Sequence, residues 1–140
     1  MRVSNAMEPS DAQFAAFLAR AGDGPVHLLN LLKFRDKAAY PDGREPDLSG
    51  ADAYMRYGGP MTRLVESAGG RLRFSALPSE FLIGHADEAW DMIAIMTYPS
   101  ASTLPEIAET PAFREIEIHR KAGLAGQLLI PCFQSETFVA

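Results

Sequence analysis

The stretch His27–Arg35, HLLNLLKFR, decides how this chain folds. Read as a strand, it alternates Leu28, Asn30 and Leu32 on one side with His27, Leu29, Leu31 and Lys33 on the other. A strand with one wet face alternates apolar and polar residues, whereas this one is apolar on both sides. Its sheet must therefore be covered twice. The amide at its centre is the anomaly. A buried Asn30 without partners costs about 1–3 kcal/mol, so it either ties to backbone or a helix tyrosine, or it lines a cavity and orients a ligand there.

Working outward from that strand (Val26 to Phe34), Ser10 and Gln13 stand at capping-box spacing. Phe14, Phe17 and Leu18 then repeat at helical intervals until Gly22–Pro25 stops the helix. Downstream, Asp36 to Leu48 has no periodicity and carries Pro-Asp-Gly, which marks a long loop of the kind that serves as a lid or binding loop. Ser49 caps a second helix whose stripe is Tyr54, Tyr57, Met61, Leu64, Val65 and Ala68, and Gly58-Gly59-Pro60 is expected to kink or break it.

After Gly69-Gly70, Arg71 to Leu77 alternates as a strand, with Leu72, Phe74 and Ala76 facing one way and Arg71, Arg73 and Ser75 the other. Pro78 reads as a bulge or sheet edge, with Glu80 to Gly84 continuing the strand. Trp90 to Tyr98 is the next strand. Helical segments follow over Ser100–Thr110 and Pro111–Ala122, and Gln127 to Phe133 is the last strand. The order is βαββαβ behind an extra N-terminal helix, a ferredoxin-like α+β arrangement in one domain, residues 1–140. Its helices cover one sheet face. The other needs a second copy of the chain, so a homodimer with packed sheets, a dimeric α/β barrel, is expected.

Composition narrows the partners. The 140 residues carry a net charge of −5, with no basic run, which argues against nucleic acid and anionic membranes. No window approaches a spanning helix, and MRVSNAMEPS lacks the apolar core of a secretory signal. A single cysteine, Cys132, cannot form an internal disulfide, which points to the cytoplasm. On its apolar strand it reads as core.

The candidate site follows from the strand and the second helix. Tyr54 and Tyr57, three apart, point from one helix face toward the sheet. With Asn30 and Trp90 they outline an apolar pocket holding a few polar groups, the usual character of a small-molecule site, and Arg35 supplies a charge at its mouth. Each also has a plain reading: core packing for the tyrosines, barrel closure for Trp90. Arg35, Arg71, Arg73 and Arg120 are rim cations, one or two of which can take an anion. Glu115 and His119 stand four apart, but no convergent ligand set predicts a metal, and no motif predicts a cofactor.

Taken together, LLNLLKFR, SGADAYMRYG, GGRL, LIG, WDMIAIMTYPS and HRKAGLAGQLLI resemble the domain-of-unknown-function family numbered 1330, over about Pro25 to Ile130. The resemblance implies the dimeric α/β-barrel superfamily. That superfamily includes cofactor-free monooxygenases, lactone isomerases, haem-degrading enzymes and stress-responsive proteins, and none of their catalytic sets matches here residue by residue. Two expectations follow. One is a binder or cofactor-free enzyme, oxygenase- or isomerase-like, for a small apolar or aromatic molecule, with Asn30, Arg35, Tyr54, Tyr57 and Trp90 at its pocket. The other is a non-catalytic dimeric structural or stress-related module.

Overall fold

A computed structural model describes residues 2–134. Four strands, β1 (Val26–Phe34), β2 (Arg71–Ala76), β3 (Met92–Tyr98) and β4 (Leu124–Cys132), form one antiparallel sheet in the order β2-β3-β1-β4. Helices α1 (Asp11–Ala21), α2 (Gly50–Ser67), α3 (Thr103–Ala108) and α4 (Pro111–Gly123) are the helices of the described residues. This is the ferredoxin-like α+β fold with an added N-terminal helix.

Local chemistry sets most boundaries as the sequence implies. Ser10 and Gln13 close a reciprocal capping box on α1, and Gly22 leaves it at φ +62°. The Ser49 and Thr110 hydroxyls accept from the backbone N–H of Asp52 and Phe113, and Pro111 stands in the first turn, where it forfeits no bond.

Four expectations about strands and helices are corrected. First, Gly58-Gly59-Pro60 does not break α2, which runs unbroken from Gly50 to Ser67. Pro60 removes one backbone bond, but Tyr57, Met61 and Val65 bury a continuous stripe on either side of it, and that burial holds the helix. Second, Glu80–Gly84 adds no strand. Pro78 has no N–H to pair, and Leu82 and Ile83 stand 96% and 89% exposed. Third, β3 begins at Met92, so Trp90 precedes it, and β4 begins earlier than expected, at Leu124. Fourth, a register shift between Leu72 and Phe74 reverses the faces of β2: Leu72 pairs with Met96, Phe74 with Ile95 and Ser75 with Ala94. One extra residue turns every later side chain over.

The sheet's helix-covered face carries Val26 and Leu28, which pack with Tyr57, Met61, Val65, Tyr98 and Ile107 to make the core, and Leu32, buried further along the same strand. Its other face presents Leu29 and Leu31 beside Ile95 and Ile93, with Ile130 and Leu128 across the opposite seam. Phe74 joins them half exposed, at 52%. Cys132, expected in the core, is exposed at the end of β4.

The 36–48 loop is not a lid. Ala38 and Tyr40 bury against Ala53 and Ala122 at the α2–α4 junction. The Tyr40 hydroxyl meets His119 Nδ1 at 2.7 Å, and the Ala39 N–H donates to Ala122 O at 2.9 Å.

Candidate functional site

Between the covered sheet face and the helices lies a cavity of about 1100 Å³. Leu28, Asn30, Leu32, Met92, Ala94 and Met96 floor it. Tyr54, Tyr57 and Met61 of α2 and Phe113 and Arg120 of α4 wall it, and Phe14 and Phe17 of α1 lie over it. The N-terminal segment closes the β4 side. Ala6 and Gln127 exchange backbone hydrogen bonds at 3.1 Å each way, so the segment adds a bridge to the edge of the sheet. Gly126 makes this possible, since a Cβ there would sit 2.6 Å from Asn5 Cβ.

One polar line crosses the apolar lining. Arg120 Nη2 donates to Gln127 Oε1 at 2.9 Å and to the Met7 carbonyl at 2.6 Å. Gln127 Nε2 donates to Asn30 Oδ1 at 2.8 Å. Asn30 Nδ2 donates to the carbonyls of Leu28 and Ala94 at 3.1 and 3.4 Å. Only an NH₂ can meet two carbonyls, so chemistry fixes the orientation of each amide along the line. The anomaly in β1 is thereby explained: Asn30 holds Gln127, and Gln127 holds Arg120.

The tyrosines supply the other polar groups. Their rings pack in series, with Phe34 5.3 Å from Tyr54, Tyr54 5.5 Å from Tyr57, and Tyr57 6.2 Å from Phe113. Among the described residues the hydroxyls of Tyr54, Tyr57 and Tyr98 have no hydrogen-bond partner, and no sealed side-chain polar atom lacks one. The three phenols therefore open into the cavity that their residues line. Burial pushes the Tyr54 and Tyr98 phenols well above their ordinary range, and pushes Tyr57 up to about 12 with the charge of Arg120 pulling the other way. They are neutral donors at physiological pH.

No histidine lines the cavity. His27 meets the Thr97 hydroxyl at 2.8 Å, on the uncovered sheet face, where Arg73 Nε also donates to that oxygen. His119 is engaged with Tyr40, and burial lowers its pKa, with Arg56 and Arg44 adding to the effect. His85 is exposed beside Asp87. The carboxylates at the rim, Glu8 and Glu117, both pair with Lys121, at 3.3 and 3.4 Å. Among the described residues no three His, Cys, Asp or Glu side chains are placed to hold a metal.

Of the five residues singled out in the sequence, the structure brings Asn30, Tyr54 and Tyr57 to the cavity. Trp90 stands outside it. Its Nε1 donates to Asn5 Oδ1 at 3.1 Å, so it pins the N-terminal segment. Arg35 is exposed, and its backbone bonds Gly123 and Gly50. From the sequence, Gln127 reads as the start of a strand, and Arg120 as one of four rim cations that shares a helix face with Phe113 and Ile116. The shared face of Phe113 and Arg120 on α4 was the available signal for the second.

Fold and cavity together define a ferredoxin-like protein with a mostly apolar chamber, open on one side, between its sheet and helices. The chain is similar to the RPA0582 protein of Rhodopseudomonas palustris, a protein of unknown function, at 35% identity over 95% of this chain and 99% of that one, with a TM-score of 0.83. The methylated RPA0582 protein gives 36% identity, 96% and 98% coverage and a TM-score of 0.84. The chain belongs to the RPA0582 family. At3g17210 of Arabidopsis thaliana, at 16% identity over 81% of this chain and 99% of its own, shares the fold with a TM-score of 0.52. No protein-family model and no curated protein matches the chain.

Proposed function

We propose that this protein binds a small, largely apolar or aromatic molecule in the chamber between sheet and helices. One observation carries the reading: three phenol hydroxyls, on Tyr54, Tyr57 and Tyr98, open into an apolar cavity without a partner among the described residues. Buried polar groups are almost always paired, and a packed structural module has no use for three that are not. Such a chamber with few convergent polar groups is how small-molecule sites are built.

A second reading, cofactor-free oxygenase- or isomerase-like chemistry, is favoured by the same donors. Neutral phenols and a guanidinium in a mostly apolar chamber stabilise negative charge developing on a bound oxygen. The motifs quoted above also support placing the chain with family 1330, and the lone cysteine supports a cytoplasmic home. For the uncovered sheet face we propose a second copy of this chain. Its apolar residues, continuous from Phe74 across Ile95 and Leu29 to Ile130, suit a like surface.

A thermal-shift screen against a metabolite panel tests the chamber. A ligand at a hundred times its Kd should raise Tm by about 5–10 °C. Ala94→Phe, which fills the floor, should abolish the shift while circular dichroism stays native. Hits indifferent to Ala94→Phe would place binding elsewhere.

A further inference from the structure

Resting on that binding reading, we infer that the ligand is a monoanion, a carboxylate on an aryl or medium-length alkyl body, gripped by Arg120. Arg120 is a cation of the chamber wall with no carboxylate in ion-pair contact among the described residues. Glu8 and Glu117 are both drawn to Lys121, and Arg20, at the mouth, lies over the Phe133 ring at 4.4 Å. Among the described residues Arg120 forms no ion pair.

Its hydrogen bonding leaves room for one. A guanidinium carries five N–H donors in a rigid fork. Nη2 uses its two on Gln127 and the Met7 carbonyl, and Nε and Nη1 have no acceptor among the described residues. Two neutral acceptors thus fix the plane of the fork, the Asn30–Gln127 line anchors one of them in the sheet, and the Nε–H and Nη1–H donors on either side are each left to meet an oxygen of a bound anion. A preoriented fork loses little entropy on binding. Leu28, Leu32, Met96 and Phe113 offer the rest of the ligand apolar surface.

The charge count selects the class. One unpaired guanidinium matches one negative charge. A phosphate monoester would bring nearly two, and Arg120 lies in the last turn of α4, where the helix dipole is negative. Tyr54, Tyr57 and Tyr98, held neutral, can donate to the same oxygens but add no charge.

Calorimetric titration at pH 7.5 with 2-naphthoate, 2-naphthalenemethanol and 2-naphthyl phosphate tests this, since the three share one ring system. The acid should bind at least about tenfold tighter than the alcohol and tighter than the phosphate. Arg120→Gln should erase the preference for the acid and leave the alcohol unchanged, while Arg120→Lys should keep part of it. If Arg120→Gln fails to fold, the wild-type ranking decides alone. Equal binding of acid and alcohol, or tighter binding of the phosphate, overturns the inference and leaves the chamber reading standing. Binding of none of the three overturns both.

Discussion

Asn30 sits in β1 with both ends of its amide engaged: Nδ2 on two backbone carbonyls, Oδ1 on Gln127. Asn30→Leu keeps the volume but leaves Gln127 Nε2 and two carbonyls short of a partner. It should lower stability by about 2 kcal/mol in chemical denaturation. Tyr57→Phe removes a hydroxyl with no partner among the described residues and should cost under about 0.5 kcal/mol, with no coupling between the two sites. Strong coupling would mean that the amide and the phenol touch. Part of this was legible. An amide in the middle of six apolar residues announces itself, and two tyrosines three apart on a helix announce a shared face. Gln127 and Arg120 were not legible as partners of Asn30, because their convergence depends on the β1–β4 register and on where α4 lies.

Helices α2 and α4 approach closely at two glycines, Gly50 and Gly123. A Cβ on Gly123 would stand 2.5 Å from Gly50 O and 2.6 Å from Tyr54 N, and one on Gly50 would stand 2.1 Å from Arg35 O. Gly123→Ala should therefore push α4 off α2 and cost about 3 kcal/mol, measured as a lower denaturation midpoint at constant m-value. A loss under about 1 kcal/mol would show that the junction has slack. Because the junction also sets Tyr54 and Arg120 on their two walls, the same change should weaken any ligand. At this scale the sequence spoke most clearly: every strand and helix was located, and caps fixed several ends. The failures were local rules that tertiary burial overrode. Gly58-Gly59-Pro60 reads as a break until the buried stripe on both sides is counted, and a bulge after Leu72 leaves no composition signal. The Glu80–Gly84 segment is apolar like a strand, yet the sheet gives it no neighbour.

Across the whole molecule, the two faces of one sheet divide the work. One floors the chamber; the other, with Leu29, Leu31, Ile93 and Ile95, is apolar and bare of helices among the described residues. Sedimentation equilibrium at micromolar concentration should return twice the chain mass, and Ile95→Glu should halve it by burying a charge in the seam. A monomeric wild type would contradict the pairing. The two-faced pattern of HLLNLLKFR carries the expectation of pairing; the chamber has no such signal, because a cavity is space that no residue pattern encodes. The most direct test of the chamber as the binding site is methionine-methyl NMR, because Met61, Met92 and Met96 line it. Saturation with 2-naphthoate should shift all three methyl signals and leave the methyls of Leu29 and Ile95 in place. Binding that leaves the three unmoved, or moves the uncovered face instead, would contradict the account.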